Sequence, residues 1–115
     1  MRLNYADQDA EAKFAGKFDA TADVNAAITI PASSAEFWVL DAIGFSYSAL
    51  PTTGRLVVAI GGVTIIDLDI RSSGHNYIRF SEPIYKGSEA KNEAMVITLH
   101  AGGASVVGKV FCRYR

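Results

Sequence analysis

Histidines are the first residues in this chain that could do chemistry, as ligands of a metal ion. His75 lies within the turn-forming run Ser72–Asn76, and His100 lies near the end of an apolar segment. A metal site in a cupin-like barrel needs clustered histidines with a glutamate, typically at His-x-His spacing, because the ligands must converge on one ion. These two isolated histidines lack that spacing. We therefore predict no metal site, and imidazoles that are solvated or hydrogen-bonded locally.

Asp67 and Asp69 form the second candidate pair. As alternate residues of a strand they would share one face, about 7 Å apart. Such a pair could act as the acid and base of a glycosidase or as calcium ligands, but no glycine-rich acidic loop or catalytic signature accompanies it. We interpret both residues as surface charges. Asp41 interrupts an apolar segment and could pair with an arginine such as Arg55 or Arg79.

Other catalytic and phosphate-binding signatures are missing from the sequence. The glycine pairs Gly61-Gly62 and Gly102-Gly103 fit neither glycine-rich phosphate motif, and neither leads into a helix pattern. The chain has no G-x-S-x-G motif. We therefore predict hairpin turns at both pairs, no catalytic residue, no cofactor and no enzymatic activity. A cupin-type enzyme is a further alternative, which metal analysis of the purified protein would test.

The elements that must position these residues are β-strands. Apolar residues recur with a period of two in short segments that turn signals separate. The segments are Lys13–Ala20, Ala26–Pro31, Phe37–Ser48, Gly54–Ile60, Val63–Ile70, Tyr77–Phe80, Ala94–Ala101 and Ser105–Tyr114. This spacing predicts one all-β domain over residues 13–115, an antiparallel, jelly-roll-like β-sandwich of about seven or eight strands. Residues 1–12 are polar and alanine-rich and are predicted to be an N-terminal arm or a short helix.

Composition limits the function further. The 115 residues suit one domain, half of them are hydrophobic, and the net charge is −1. These values exclude a disordered chain and argue against nucleic acid as a partner. No apolar stretch reaches the length of a membrane span, and the first residues lack a signal peptide, so we expect synthesis in the cytoplasm and no membrane partner. The single cysteine, Cys112, is predicted to be a buried thiol because it lies in an apolar strand.

The glycine pairs also predict two strand registers. A two-residue loop at Gly102-Gly103 would join the flanking strands as a hairpin. One face of that hairpin is entirely apolar and is expected to be buried. Its residues are Met95, Ile97, Leu99, Val106, Val110 and Cys112. The other face mixes polar residues with Val96, Val107 and Phe111.

The Gly61-Gly62 hairpin leaves apolar residues on both faces. With a two-residue loop, one face holds Leu56, Val58, Ile60, Val63, Ile65 and Asp67, and the opposite face is still rich in apolar residues. A loop or the N-terminal segment could cover this second face, or another subunit could, since large apolar patches are seldom left bare. The candidate residues for an oligomer interface are Val57, Ala59, Val63 and Ile65.

Exposed aromatic rings would indicate carbohydrate binding. Trp38, Tyr47, Tyr77, Tyr85 and Tyr114 could form a platform on which sugars stack. Because Phe37 precedes Trp38 directly, one of these two rings must point inward, and a buried tryptophan is the commoner outcome in a sandwich. Carbohydrate or receptor binding, with surface glycans as the partner, is therefore the alternative to a structural role.

The order of the segments resembles a known group of proteins. The segment Trp38–Ser48 ends in F-S-Y-S and is followed by a Pro/Gly loop, the segment Gly61–Ile70 and the C-terminal segment Val96–Val110. This pattern of β-hairpins resembles small virion proteins of tailed bacteriophages and prophages. The resemblance covers residues 26–115 and carries no site residues.

The resemblance implies a non-enzymatic structural protein with a jelly-roll-like β-sandwich, such as a capsid decoration, head-fibre or tail-associated subunit. It implies a virion location, other virion proteins as partners, and self-association, with a trimer as the form that many such sandwiches take. Symmetric assembly would bury a sheet face through one contact repeated around an axis. The predicted function is accordingly a virion component that assembles through its sheet faces.

Overall fold

A computed structural model of the chain describes residues 13–18, 21–34, 38–84 and 92–115. Within these ranges the chain forms β-strands and no helix, which confirms the all-β prediction. The strands are β1 (Lys13–Lys17), β2 (Ala26–Ile30), β3 (Leu40–Tyr47), β4 (Arg55–Ile60), β5 (Val63–Asp69), β6 (Gly74–Ile84), β7 (Met95–Leu99) and β8 (Gly108–Tyr114). The predicted arm or short helix at residues 1–12 lies outside the described residues. No described segment is a helix that could span a membrane.

The strands form two four-stranded antiparallel sheets. Sheet A has the order β1-β8-β3-β6, and sheet B has the order β2-β7-β4-β5. The first strand thus pairs with the last, the second with the seventh, the third with the sixth and the fourth with the fifth. The chain is therefore one long hairpin rolled into two layers. This is the two-sheet jelly roll that the sequence predicts.

The hydrophobic core lies between the two sheets. Every second residue of β2, β4 and β7 is buried, because alternate side chains of a strand point to the same side. The largest fully buried side chains come from both layers and are Tyr47, Leu40, Ile43, Leu56, Ile60, Met95, Ile97, Leu99, Val58, Val110 and Cys112. Cys112 is fully buried, as predicted, and its burial raises the pKa of the thiol to about 11.

Tyr47 links the two sheets at one end of the core. It belongs to β3 of sheet A, and its hydroxyl donates a hydrogen bond to the carbonyl of His100 at 2.6 Å. The same hydroxyl oxygen accepts a hydrogen bond from the backbone N–H of Arg55, in β4 of sheet B, at 3.3 Å. Burial raises the pKa of Tyr47, so the hydroxyl keeps its proton and remains a donor.

The hairpin predicted at Gly102-Gly103 is wrong. β7 pairs with β2 and β4 in sheet B, whereas β8 pairs with β1 and β3 in sheet A, so the intervening residues cross from one layer to the other. The residues assigned to the buried face are nevertheless all buried. Two strands that oppose each other across a sandwich turn their apolar faces to the same core. Alternation alone therefore cannot distinguish them from two strands that pair.

The turn between β4 and β5 is the predicted glycine hairpin. Gly61 and Gly62 have φ angles of 59° and 80°, and a type I′ turn requires positive φ at both of its central positions. Glycine adopts this conformation without steric cost. The pairing of Ile60 with Val63 closes the two-residue loop.

A β-bulge in β5 corrects the predicted register of this hairpin. Ala59 faces Thr64 but Val58 faces Ile66, so Ile65 is an extra residue in the edge strand. A shift of one residue moves every later side chain to the opposite face. Beyond the bulge, the aliphatic residues of β5 therefore face the core side and its carboxylates face outward. Much of the apolar excess predicted for the second face disappears.

Candidate functional site

Aromatic rings gather on the outer surface of sheet A, the side that faces away from the core. Strand pairing aligns Gly16, Phe111, Gly44 and Tyr77 in one row across β1, β8, β3 and β6. The rings on this surface, which we call the aromatic patch, are Phe14, Phe18, His75, Tyr77 and Phe111. The patch thus draws on three strands and on the residue after β1.

Two glycines in the row make room for the rings. A Cβ on Gly44 would lie 2.0 Å from Cε1 of Phe111, and a Cβ on Gly16 would lie 2.3 Å from Cε2 of Phe18. The ring of Phe111 therefore occupies the space above the central strand β3 where a side chain would otherwise stand. Glycine inside a strand often marks such a close approach.

The rings lie within contact distance of one another. The centre of the Phe111 ring is 6.1 Å from that of Tyr77 and 6.3 Å from that of His75, and both pairs of rings are nearly parallel. Phe18 lies 6.4 Å from Phe111 at a tilt of 37°. These spacings are typical of interacting aromatic pairs. Phe14, Phe18 and Tyr77 are 72%, 59% and 53% exposed, so the patch presents apolar surface to solvent.

Cationic side chains border the patch on both sides. Arg113 and Arg79 both pair with the same residue of β3, on one side of the row that contains the Phe111 and Tyr77 rings. Lys109 lies on the other side of that row. The guanidinium carbon of Arg113 is 6.0 Å from the centre of the Phe14 ring, which is a cation–π contact. The surface therefore combines apolar rings with charged hydrogen-bond donors.

Asp41 forms a two-point ion pair with Arg115. The arginine Nε donates to Oδ2 at 2.9 Å and Nη2 donates to Oδ1 at 3.0 Å, and both side chains are less than a fifth exposed. The partners proposed from sequence, Arg55 and Arg79, are wrong, because the backbone of Arg115 pairs with Val39 beside Asp41 and extends the β3–β8 ladder.

The aromatic residues singled out in the sequence are divided between core and surface. Trp38 is buried, donates from Nε1 to the carbonyl of Pro31 at 2.9 Å, and meets Tyr114 edge to face at 5.6 Å. Tyr47 lies in the core, and Tyr85 lies outside the described residues. Only Tyr77 among the described candidates belongs to the patch.

Phe14, Phe18 and Phe111 were not among the candidates, although a signal for them exists. Gly16 and Gly44 stand inside predicted strands, where a glycine indicates that something lies against the backbone. The identity of that neighbour depends on strand pairing. It therefore could not be taken from the glycines alone.

The remaining candidates have structural partners. Asp67 accepts from Nε of Arg55 at 2.7 Å and from its Nη2, and this hydrogen bonding lowers the pKa of Asp67. Asp69 lies 3.9 Å from Nη2 of Arg71 in an exposed ion pair. The backbone N–H of His100 donates to the carbonyl of Arg55. Among the residues that the structure describes, no group of three or more His, Cys, Asp or Glu side chains could hold a metal ion.

The outer surface of sheet B consists of small residues. Its paired rows are Thr29, Val96, Ala59 and Thr64, followed by Ala27, Thr98, Val57 and Asp67. No aromatic ring stands in these two rows. This surface therefore offers short side chains and two exposed ion pairs, Arg55–Asp67 and Arg71–Asp69.

The four candidate interface residues do not form one continuous surface. Val57 and Ala59 are half-buried on the outer surface of sheet B. Val63 pairs with Ile60 at the end of the edge strand and is half exposed, whereas Ile65 is the bulge residue and packs against the core. Self-association through these residues stays a prediction.

Comparisons with known proteins concern the fold. No family model and no curated protein matches the chain. The chain is similar to the CBM36-1 domain of a multidomain xylanase from the hindgut metagenome of Trinervitermes trinervoides. The TM-score is 0.52 with 9% identity, over 90% of this chain and 94% of that domain.

Two further carbohydrate-binding modules match with lower TM-scores. A CBM36 module in complex with calcium and xylotriose has a TM-score of 0.43 with 13% identity, over 90% of this chain and 91% of that chain. A family 35 module from an environmental isolate has a TM-score of 0.41 with 16% identity, over 83% of this chain and 68% of that chain. At 9% identity, the similarity to the xylanase domain shows shared architecture alone. The chain has the β-sandwich fold of that domain.

Proposed function

We propose that the protein is a non-catalytic carbohydrate-binding domain that binds sugars on the aromatic patch. The observation that carries the proposal is the exposure of Phe14, Phe18 and Tyr77 around Phe111 on one sheet surface. Contiguous exposed apolar patches mark interaction sites on soluble proteins. The fold shared with a xylanase-associated binding module supports the proposal, but one fold hosts many functions, so the argument rests on the patch.

The chemistry of the patch suits a sugar ring. The apolar C–H face of a pyranose packs against an aromatic ring, and its hydroxyls need hydrogen-bond partners at the rim. The Tyr77 hydroxyl, the His75 imidazole and the Ser46 hydroxyl lie in neighbouring positions of the same surface. The patch thus supplies both stacking surface and hydrogen-bond partners for a sugar, and binding of this kind requires no catalytic step.

Binding to soluble polysaccharides tests this proposal. We expect retardation of the protein in native gels that contain a bound polysaccharide, in a panel that includes xylan because the similar domain belongs to a xylanase. Tyr77→Ala and Phe111→Ala should each weaken binding about tenfold or more, since each removes stacking surface.

Val63→Ala is the matched control. It shortens a half-exposed apolar side chain on sheet B and should leave glycan binding unchanged. Thermal melts of each variant separate lost binding from lost folding. The proposal is contradicted if the folded protein binds no polysaccharide in the panel. It is also contradicted if neither patch substitution changes the affinity for a polysaccharide that the protein binds.

The second candidate function is self-assembly, including the virion role that the resemblance implies. The observation that favours it is the position of Phe14 and Phe18 at edge strand β1, where two large exposed rings could meet a second copy of the chain. Light scattering at micromolar concentration should then report an oligomer that Phe14→Ser dissociates. A monomer at that concentration contradicts this candidate.

A further inference from the structure

We propose that the ligand of the aromatic patch is an acidic saccharide, whose carboxylate or sulfate groups bind Arg79 and Lys109. The inference rests on the proposed function, because it names the class of glycan that the patch would select. It follows from the distribution of charge over the two outer surfaces.

The outer surface of sheet A is cationic. Its paired positions outside the aromatic row are Phe14, Arg113, Ala42, Arg79, Lys109, Ser46 and His75. These described positions include three cations and no carboxylate. The Asp41 carboxylate beside them is occupied by Arg115. The chain as a whole carries a net charge of −1, so this surface departs in sign from the rest of the molecule.

The outer surface of sheet B has the opposite character. Asp67 and Asp69 point outward from β5, and Arg55 pairs with Asp67. Arg71 lies beyond the end of the strand, near Asp69. Charges of both signs therefore neutralise each other on sheet B, whereas the paired rows of sheet A place Arg79 and Lys109 beside the rings with no carboxylate among them. An anionic ligand complements sheet A alone.

The cations stand where a ligand stacked on the rings would meet them. Arg79 and Arg113 lie two positions along the strands on one side of the Phe111–Tyr77 row, and Lys109 lies two positions away on the other side. The two cationic rows are thus about 13 Å apart, from the rise per residue of a strand. This separation exceeds a single sugar ring, so the arrangement favours a short segment of an acidic polymer.

Single-stranded nucleic acid also combines stacking with negative charge. The observations favour a glycan, because a nucleic-acid-binding domain is usually strongly basic and this chain has a pI near 6.1. Nucleic acid is therefore an outcome of the test and not the proposal.

The experiment compares two polymers that differ in charge alone. Polygalacturonate and the same polymer with its carboxyl groups reduced are titrated into the full chain by calorimetry, at low and at high NaCl. We expect binding of the acidic polymer to be about tenfold tighter at low NaCl, and the difference to shrink at high NaCl because salt screens the contacts. Sulfated dextran against dextran repeats the comparison for sulfate.

Charge reversal locates the contacts. Lys109→Glu and Arg79→Glu should each remove most of the preference for the acidic polymer while binding of the neutral polymer is kept. Arg71→Glu is the control, because it makes the same change of net charge at an exposed side chain near sheet B. It should leave the preference unchanged.

The outcomes separate this inference from the proposed function. Equal affinity for acidic and neutral polymers overturns the acidic ligand and leaves carbohydrate binding in place. Failure to bind any polymer, acidic or neutral, overturns both. Tighter binding of single-stranded oligothymidylate than of either acidic polymer overturns the inference in favour of nucleic acid. If Arg71→Glu also loses the preference for the acidic polymer, the assignment of the anion-binding contacts to the patch is overturned.

Discussion

The two sheets of the sandwich share one core but present different outer surfaces to solvent. Sheet A carries large rings and cationic side chains, with glycines beneath the rings. Sheet B carries threonine, alanine and valine, and its charges are paired. Inward positions of both sheets are equally apolar. Only the outward positions are free to diverge, because the core restricts every second residue and leaves the others to function.

The difference teaches where to look for function on this fold. The small residues on the outer surface of sheet B can be explained without a ligand. The exposed rings above the glycines of sheet A form apolar area that packing within the chain does not cover. The predictions below change one surface and use the other as the control.

The largest effect is expected from filling the space above Gly44. Gly44→Val places a side chain where the Phe111 ring lies, so the ring must leave the row and the sheet must adjust. We expect the free energy of unfolding in urea to fall by about 1–3 kcal/mol, with loss of glycan binding. Ala59→Val, at an outward position of the central strand β4, should change stability by no more than about 0.5 kcal/mol. If Gly44→Val and Ala59→Val lower the free energy of unfolding equally, the proposed difference between the two outer surfaces is contradicted.

We expect a somewhat smaller loss of stability from disrupting the Asp41–Arg115 ion pair beside sheet A. Asp41→Asn keeps the shape of the side chain but removes the negative charge that faces the largely buried guanidinium of Arg115. We expect a loss of about 1–2 kcal/mol in urea unfolding. Asp69→Asn, at an exposed ion pair of sheet B, should leave stability almost unchanged. If Asp41→Asn and Arg115→Gln have additive effects in a double-mutant cycle, the two side chains are not coupled and the prediction fails.

Tyr47→Phe tests the link between the layers. The substitution removes the hydroxyl that donates to His100 and accepts from Arg55, and it should lower the free energy of unfolding by about 0.5–1.5 kcal/mol. Tyr77→Phe is the matched control, because its hydroxyl lies on an exposed ring. That variant should melt like the native protein and weaken glycan binding only. A Tyr47→Phe protein as stable as the native one would show that the hydroxyl does not hold the sheets together.

The smallest effect concerns Asp67 and depends on pH. Its hydrogen bonds to Arg55 lower its pKa in the folded state, so its stabilising contribution is present above the ordinary carboxyl pKa and is lost as the pH falls through the lowered value. Asp67→Asn should therefore reduce stability slightly near neutral pH and should flatten the acid limb of the melting-temperature curve. High salt should reduce the difference between the two proteins. An acid limb with unchanged slope in Asp67→Asn would contradict this assignment.

Much of the fold could be predicted from the sequence, and less of the site. The strand segments and the turn at Gly61-Gly62 follow from alternation and glycine chemistry, which are local. β6 is longer than predicted, since it begins at Gly74, inside a predicted turn. Alternation places the ring of Phe111 on the outward face, but it does not identify the neighbours of that ring, because the hairpin predicted from the sequence pairs β8 with β7 and the structure pairs it with β3.

The sequence by itself determined the all-β class, the two-layer sandwich and the inward residues of the strands other than β5, because each strand carries its own alternation of apolar and polar side chains. Only the tertiary structure decided which strands pair, where β5 bulges at Ile65, and which rings meet above Gly44. Those features depend on residues far apart in the chain, such as Gly16, Phe111 and Tyr77, that come together when the long hairpin rolls into two layers. Side-chain alternation has a period of two and is the same for every possible partner strand. It therefore cannot predict which strands pair.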